Sequence, residues 1–275
     1  MKLQSAARMG DTVVASDAYG TAQVMVGFDQ LSYSKIDGVA VRKRQISAAP
    51  SVAMPARGVI TIDGQKYLVG HGAPDYWRGK AIRVSYVIQG ADGLANLQTI
   101  GQALEGTAPV TAYAAVVFAK YLPDANDSSR MPPQYQVFLA GAEEAPEDTL
   151  IGLEGAFYLV KQSYISTSGL RVALANIVDE PCFETVSFAN RVYDPVSDSY
   201  TSAGTSIKIF RIKWSESFTY LSKASEGFER GDIQVFMLKS STPKPSDLLT
   251  LSDGSWRILS VQDMGATWRC HARRA

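Results

Sequence analysis

Side chains able to carry out nucleophilic or acid–base chemistry are scarce in this sequence, which has two His and two Cys among 275 residues. Cys270 and His271 are adjacent, and adjacent side chains on a strand point to opposite faces, so they make a poor thiolate–imidazole pair. His71 lies between two glycines near Asp75, where the pattern favours a loop residue after a hairpin over a general base. Cys182 is typical of a small core residue. The sequence therefore predicts no catalytic residues.

The sequence also gives little support for a metal-binding or nucleotide-binding site. Asp124, Asn126 and Asp127 resemble the opening of a calcium-binding loop. Ser129 and Tyr135, however, stand where that loop requires a Gly and a closing Glu. The chain also has no Gly-x-Ser-x-Gly motif and no glycine-rich phosphate-binding loop. We therefore expect neither an enzyme nor a bound metal or cofactor.

The composition argues against several classes of partner. Lys and Arg together number 27, as do Asp and Glu, so the chain lacks the basic excess typical of nucleic-acid binders. Short basic runs such as Arg42-Lys43-Arg44 are better explained as solvated strand ends than as the lining of a DNA channel. The longest apolar stretch, Val110–Phe118, is too short to span a bilayer, and the N-terminal residues lack the apolar core of a signal peptide. We expect a soluble protein with no membrane partner.

One fifteen-residue segment of the sequence, which would form part of the scaffold for any site, occurs three times. Pro55–Val69, Pro146–Val160 and Pro245–Leu259 align without a gap, and each contains an acid–Gly pair between two apolar runs. The pairs are Asp63-Gly64, Glu154-Gly155 and Asp253-Gly254. An acid–Gly pair in this setting is a strong signal for a tight β-hairpin. The three segments therefore predict one hairpin, repeated.

Further matches extend the repeat in both directions. A Gly-Thr pair precedes each hairpin, copies two and three share Gln-Val-Phe, and each copy carries an Arg within a later apolar run. These residues are Gly20-Thr21, Gly106-Thr107, Gly204-Thr205, Gln136-Val137-Phe138, Gln234-Val235-Phe236, Arg83, Arg171 and Arg269. We expect the three arginines to face solvent or to pair with an acid at a module interface. The repeats predict modules at residues 1–89, 90–178 and 179–275.

Runs of β-forming residues predict five or six short strands in each module. The clearest are Gln23–Phe28, Ile82–Ile88, Ile207–Trp214 and Ile233–Leu238. One helix is predicted over Leu94–Leu104 from its apolar spacing. The polar stretches Pro123–Pro133 and Ser240–Ser246 read as loops. The sequence therefore predicts an all-β fold of three tandem small β-barrel or sandwich modules with one or few short helices.

The third copy carries a more specific pattern, which combines a Tyr-Asp-Pro turn, a Gly-Asp pair before a strand, and the hairpin that opens with Pro. The residues are Tyr193, Asp194, Pro195, Gly231, Asp232, Pro245, Asp247, Gly254, Trp256, Ile258 and Val261. Over Glu184–Ala275 the pattern resembles the small β-barrel adaptor, stopper and tail-completion proteins at the head–tail junction of tailed bacteriophages. Members of that family usually carry one such module, and copies one and two here lack the Tyr-Asp-Pro turn.

The resemblance implies a non-enzymatic virion protein of the neck, assembled in the host cytoplasm, that forms a ring and contacts portal, adaptor or tail proteins. It also implies non-specific proximity to double-stranded DNA in the channel. Triplication would let fewer subunits close a ring, or let one chain imitate a trimer, as a capsid decoration protein would. A tail structural protein is a further alternative. An alternative of another class is a carbohydrate-binding or hydrolytic tail module, for which Tyr76-Trp77 would be an aromatic platform.

Overall fold

The computed structural model describes residues 11–17, 20–36, 39–51, 54, 58–62, 64–119, 134–141, 145–178, 181–196, 199–212 and 231–275. These residues form three closed antiparallel β-barrels of six strands each. The prediction of an all-β fold made of small barrel modules is confirmed. Within the described residues there is one α-helix and one short 3-10 helix, Lys239–Ser241.

The strands follow one another along the chain, six to a barrel. Barrel 1 contains β1 (Asp11–Asp17), β2 (Gly20–Ile36), β3 (Val39–Ala48), β4 (Val59–Ile62), β5 (Gln65–Trp77) and β6 (Lys80–Gly90). Barrel 2 contains β7 (Gly93–Thr99), β8 (Val110–Ala119), β9 (Gln134–Leu139), β10 (Thr149–Leu153), β11 (Ala156–Ile165) and β12 (Arg171–Val178). Barrel 3 contains β13 (Pro181–Asp194), β14 (Ser199–Ile212), β15 (Ile233–Leu238), β16 (Leu248–Leu251), β17 (Gly254–Asp263) and β18 (Thr267–Arg274).

All three barrels have the same strand order. The first, second and third strands are neighbours, the third pairs with the sixth, and the sixth, fifth and fourth lead back to the first. Closure pairs the first strand of each barrel with the fourth, so every strand of a barrel has a partner on both sides where the barrel is closed. The sequence repeat is therefore a repeat of one topology.

The predicted hairpin joins the fourth and fifth strands of each barrel. In barrel 2, Leu153 pairs with Ala156, and the turn residues Glu154 and Gly155 have φ values of 50° and 82°. Two consecutive left-handed residues are what the tightest hairpin turn requires. In barrel 1, Ile62 pairs with Gln65 around Gly64, whereas Asp63 lies outside the described residues.

In barrel 3 the hairpin turn lies one residue earlier than the gapless sequence alignment predicted. Leu251 pairs with Gly254, so the turn consists of Ser252 and Asp253 and the glycine opens the next strand. A one-residue slip exchanges the two faces of a hairpin. Leu248 and Arg257 therefore occupy the outward-facing pair of positions, which Leu150 and Leu159 hold in barrel 2 and Val59 and Leu68 hold in barrel 1.

A β-bulge recurs at one place in the fifth strand of every barrel. Pairing between the fifth and sixth strands shifts between Val69 and Gly72, between Val160 and Gln162, and between Ile258 and Ser260. Each shift inserts one extra residue into the fifth strand. Bulges bend a strand and increase its twist, which a small barrel needs in order to close.

Alternate residues of each hairpin fill a separate core inside each barrel. The inward residues are Ile60, Ile62, Tyr67 and Val69 in barrel 1, Ile151, Leu153, Tyr158 and Val160 in barrel 2, and Leu249, Leu251, Trp256 and Ile258 in barrel 3. All of them are buried. An aromatic residue thus occupies the same inward position in all three barrels.

The helix is shorter than predicted. Helix α1 spans Ile100–Glu105, and Thr99 forms a capping box with Gln102 at its start. The residues before it form β7, whose Ala95 and Leu97 alternate into the core of barrel 2. The helical spacing of leucines was misleading there because pairing with β8 and β10 completes the barrel, and such tertiary pairing overrides a local periodicity.

Candidate interaction surfaces

Barrels 1 and 2 join through a buried apolar cluster on their outer faces. Val59 and Leu68 of barrel 1 pack with Phe138 and Val172 of barrel 2. Leu68, Phe138 and Val172 are fully buried. Beside this cluster the Lys66 ammonium lies 4.7 Å from the centre of a barrel 2 ring, that of Tyr113.

Barrels 2 and 3 join through the equivalent strands. Leu150 and Leu159, on the outer face of the barrel 2 hairpin, pack with Phe210 and Phe236 of barrel 3. Helix α1 adds Ile100 and Leu104 to this cluster. Phe210 and Phe236 are fully buried, with their ring centres 5.9 Å apart.

The two interfaces are the same contact used twice. Strand pairing places Phe138 opposite Val172 in barrel 2 and Phe236 opposite Arg269 in barrel 3. In both cases the Phe closes a Gln-Val-Phe run on the third strand and meets the outer face of the preceding hairpin.

The same strand pairing identifies a third copy of this run in barrel 1. It places Ser47 opposite Ser85, so the equivalent run is Gln45-Ile46-Ser47. The contact is head-to-tail, because it uses different faces of the two barrels.

Close backbone contact reinforces the first interface. The His71 N–H donates to the Ser168 carbonyl at 2.8 Å, which joins β5 of barrel 1 to the turn between β11 and β12. A Cβ at Gly70 would lie 2.1 Å from that carbonyl oxygen, and one at Gly169 would lie 2.2 Å from the His71 ring. His71 is thus a strand residue at the junction of two barrels, and its prediction as a loop residue was wrong.

Barrel 3 contains a buried polar cluster that the sequence did not predict. Asp232, just before β15, accepts two hydrogen bonds of 2.9 Å from the guanidinium of Arg273. Nε2 of His271 lies 2.7 Å from the same carboxylate, and the side chains of Asp232 and His271 are 2% and 4% exposed. The cluster ties the start of β15 to β18. This gives the Gly-Asp element of the third copy a structural role.

The Cys270 thiol and the Asp253 carboxylate of barrel 3 are also engaged in the fold. Cys270 lies in the barrel core, where burial raises the pKa of its thiol to about 12, so it is protonated at neutral pH. Asp253 accepts hydrogen bonds from the Trp256 indole at 2.9 Å and from Arg211 at 2.7 Å. Burial acts to raise the pKa of the Asp253 carboxyl, but these hydrogen bonds outweigh it and hold the pKa below its ordinary value. Arg211 also lies 3.0 Å from Glu184.

The three recurring arginines have different surroundings. Arg83 is half-exposed and pairs with Asp75 of its own barrel. Arg269 lies 4.0 Å from Glu147 of barrel 2, which matches the expected pairing at a module interface. Arg171 is buried, which the prediction did not anticipate. Strand pairing explains the difference, because the residue equivalent to Arg269 is Val172, one position further along.

Among the side chains that the structure describes, the most exposed aromatic residues lie at the tip of a hairpin that extends from barrel 1. Tyr76 and Trp77 are 66% and 64% exposed, and Arg78 and Gly79 form the turn between β5 and β6. The Arg78 guanidinium lies 5.9 Å from the centre of the Trp77 ring. We call residues 72–84 the aromatic arm. Large apolar side chains held out in water are typical of contact sites.

Asp148 is a buried carboxyl whose charge opposes folding. Burial raises its pKa, although the charges of Lys161 and Arg269 act in the opposite direction. A raised carboxyl pKa means that the folded chain binds the proton more tightly, so the free energy of unfolding falls as pH rises through the raised value. Asn also tolerates the left-handed φ of 67° at this residue.

We therefore expect Asp148→Asn to raise the free energy of unfolding at pH 7 by up to about 1 kcal/mol. The gain should disappear below the ordinary carboxyl pKa, where Asp148 is protonated in both states. The matched control is Asp247→Asn, because buried Asp247 accepts the N–H groups of Arg191 and Lys244 and its substitution should destabilise at pH 7. Thermal unfolding at pH 7 and pH 3 measures both. A lower melting temperature for Asp148→Asn at pH 7 would contradict this account.

Some sequence predictions fall on residues that the structure does not describe. The calcium-loop residues Asp124, Asn126 and Asp127 lie outside the described residues, as does the predicted loop Pro123–Pro133. Among the residues that are described, no group of His, Cys, Asp and Glu has the arrangement of a metal site. In the same part of the chain, no helix has the length and apolarity needed to cross a membrane.

The fold and its interfaces define a class of protein: a tandem stack of three six-stranded barrels joined by a repeated apolar contact. No family model matches the chain, and no curated protein or solved structure matches it either.

Proposed function

We propose that this protein is a structural component of the neck of a tailed phage, where it connects other virion proteins without catalysing a reaction. The observation that carries the proposal is the threefold use of one closed barrel, joined into a stack by buried apolar contacts. Three copies of one barrel serve architecture directly, whereas a single active site does not require them. The proposal also rests on the resemblance of the third copy to head–tail connection proteins.

The residues that carry that resemblance help to build the third barrel. Asp232 ties β15 to β18, and Asp247 accepts two backbone N–H groups. Trp256 and Ile258 fill the core. A pattern composed of such residues marks a fold, so its recurrence in connection proteins is physically reasonable. Partner contacts must then come from other parts of the surface.

The aromatic arm is the surface that we assign to a partner. Its exposed Tyr76 and Trp77 stand beside Arg78, and Tyr, Trp and Arg are the residue types enriched at the centres of protein interfaces. The arm is a two-stranded extension of β5 and β6, so its tip can enter a recess on a portal, adaptor or tail protein. The barrel behind it supplies a rigid base.

The barrel order favours a connecting role over imitation of a trimer. Apolar clusters join barrel 1 to barrel 2 and barrel 2 to barrel 3, and within the described ranges none joins barrel 1 to barrel 3. A decoration protein that imitates a three-fold axis would need that third contact. A stack with distinct ends is better suited to a position between two different assemblies or within a ring.

We expect Tyr76→Ala/Trp77→Ala to weaken binding to portal-containing heads by about 30-fold or more, which is the cost of losing an interface hot spot. The free energy of unfolding should change by less than about 0.5 kcal/mol, because both side chains are exposed. Co-sedimentation with purified heads measures binding. Val196→Ala, at a residue that is 94% exposed in a different turn, is the control.

The same variant separates this proposal from a carbohydrate-binding module. Unchanged co-sedimentation of the double variant would reject the arm as the contact. Binding of the unaltered protein to a glycan array, lost on Tyr76→Ala/Trp77→Ala, would instead assign the arm to sugar recognition. Turnover of any glycan by the purified protein would reject the structural proposal as a whole.

A further inference from the structure

The face of barrel 1 that corresponds to the interface faces of barrels 2 and 3 lacks the residue that anchors both interfaces. Barrels 2 and 3 each present a Phe to the preceding hairpin, Phe138 and Phe236, and both are fully buried. The equivalent residue of barrel 1 is Ser47, whose hydroxyl lies 3.4 Å from that of Ser85 across the same strand pair. A hydroxyl pair takes the place of an aromatic anchor. Of the three equivalent positions, only that of barrel 1 carries a hydroxyl in place of a phenyl ring.

The outer face of the barrel 3 hairpin differs from the equivalent face of barrel 2 in the complementary way. The outward pair on its hairpin is Leu248 and Arg257, at the positions that hold two leucines in barrel 2. Arg257 is exposed, and so are Thr250 and Ser255 on the same face. Burying an unpaired guanidinium against an apolar neighbour is costly. This face is therefore unsuited to receive a further barrel.

A head-to-tail contact with apolar faces at both ends would continue from chain to chain and build filaments. Repeat proteins avoid this with end units whose outer faces are polar. We infer that Ser47 and Arg257 cap the two ends of the stack, so that copies of this chain do not join end to end through the contact that joins its barrels. This inference does not depend on the proposed function. Any ring that the chain forms must use other surfaces.

The inference is tested by placing at positions 47 and 257 the apolar residues that the equivalent positions of the other barrels carry. We expect Ser47→Phe/Arg257→Leu to form end-to-end oligomers whose mass rises with protein concentration. Each single variant has one restored end, so a mixture of Ser47→Phe with Arg257→Leu should yield a complex of one chain of each kind. Light scattering over a concentration series measures the masses, and circular dichroism melting checks that each variant is folded. Folded variants that keep the mass of the unaltered protein would overturn the inference.

Substitutions that add a charge to each outer face provide a second, independent test. Ser47→Asp and Thr250→Asp place a carboxylate on each end face without adding apolar surface. If the ends are capped, neither substitution changes the mass of the unaltered protein, including the mass of any ring formed elsewhere. A lower mass in either variant would overturn the inference, because the end faces would then already be interfaces between chains. Loss of head binding in Tyr76→Ala/Trp77→Ala has no bearing on this outcome.

Discussion

Phe138→Ala will lower the free energy of unfolding by about 3–5 kcal/mol, the range found for removing a buried phenylalanine. Phe138 is fully buried, and its partners Val59 and Leu68 belong to another barrel. The cavity would open at the junction between two closed barrels. The substitution should therefore destabilise the contact between barrels 1 and 2 more than either barrel core.

The matched control is Ser47→Ala, at the equivalent position of barrel 1. It removes one hydroxyl from a half-buried pair, so the change should stay below about 1 kcal/mol. Urea unfolding followed by circular dichroism gives both values. If Phe138→Ala cost no more free energy of unfolding than Ser47→Ala, the apolar cluster between barrels 1 and 2 would not contribute to stability, and its role in joining them would be rejected.

Gly169→Ala will destabilise the chain by about 2 kcal/mol or more beyond the cost of Gly155→Ala. Both glycines lie in turns of barrel 2 with nearly the same left-handed φ, 78° and 82°. An alanine carries the same conformational penalty at either, about 1–2 kcal/mol. The difference lies in the neighbours, because a Cβ at Gly169 would lie 2.2 Å from the His71 ring whereas one at Gly155 meets nothing within 4 Å.

The difference in stability between the two variants measures the packing between barrels 1 and 2, because the conformational cost of the turn is the same in both. The clash at Gly169 involves the barrel 1 backbone as well, since the His71 nitrogen lies 2.5 Å from the added Cβ. Relief would require β5 to separate from the turn that accepts the His71 N–H. We expect limited proteolysis to cut Gly169→Ala between barrels 1 and 2 faster than Gly155→Ala. Equal melting temperatures and equal cleavage rates would show that the junction is not tightly packed.

Several features of the fold were predictable because they depend on neighbouring residues. The acid–Gly turns and the β-forming runs Ile82–Ile88 and Ile233–Leu238 are local patterns with a direct steric or amphipathic cause. Repetition then made the hairpins recognisable as three copies of one unit. Whether each unit was a barrel or a sandwich depended on closure between the first and fourth strands, which no local pattern specifies.

Other features depended on contacts between residues far apart in the chain. The run Gln45-Ile46-Ser47 was not recognised as a third copy, because Ser47 stands where the other two runs have Phe and only strand pairing makes the three runs equivalent. The cluster of Asp232, His271 and Arg273 forms because β15 and β18 are adjacent.

The sequence by itself determined that one strand-built unit occurs three times, because hairpin turns and alternating apolar residues are imposed by the local stereochemistry of the chain. The tertiary structure alone decided which faces of those units are buried. A side chain such as Phe138 or Arg257 points inward, outward or into a neighbour according to register and stacking, and a slip of one residue reverses the outcome. The register of the strands therefore also decides that polar side chains, Ser47 and Arg257, lie on the outer faces of barrels 1 and 3.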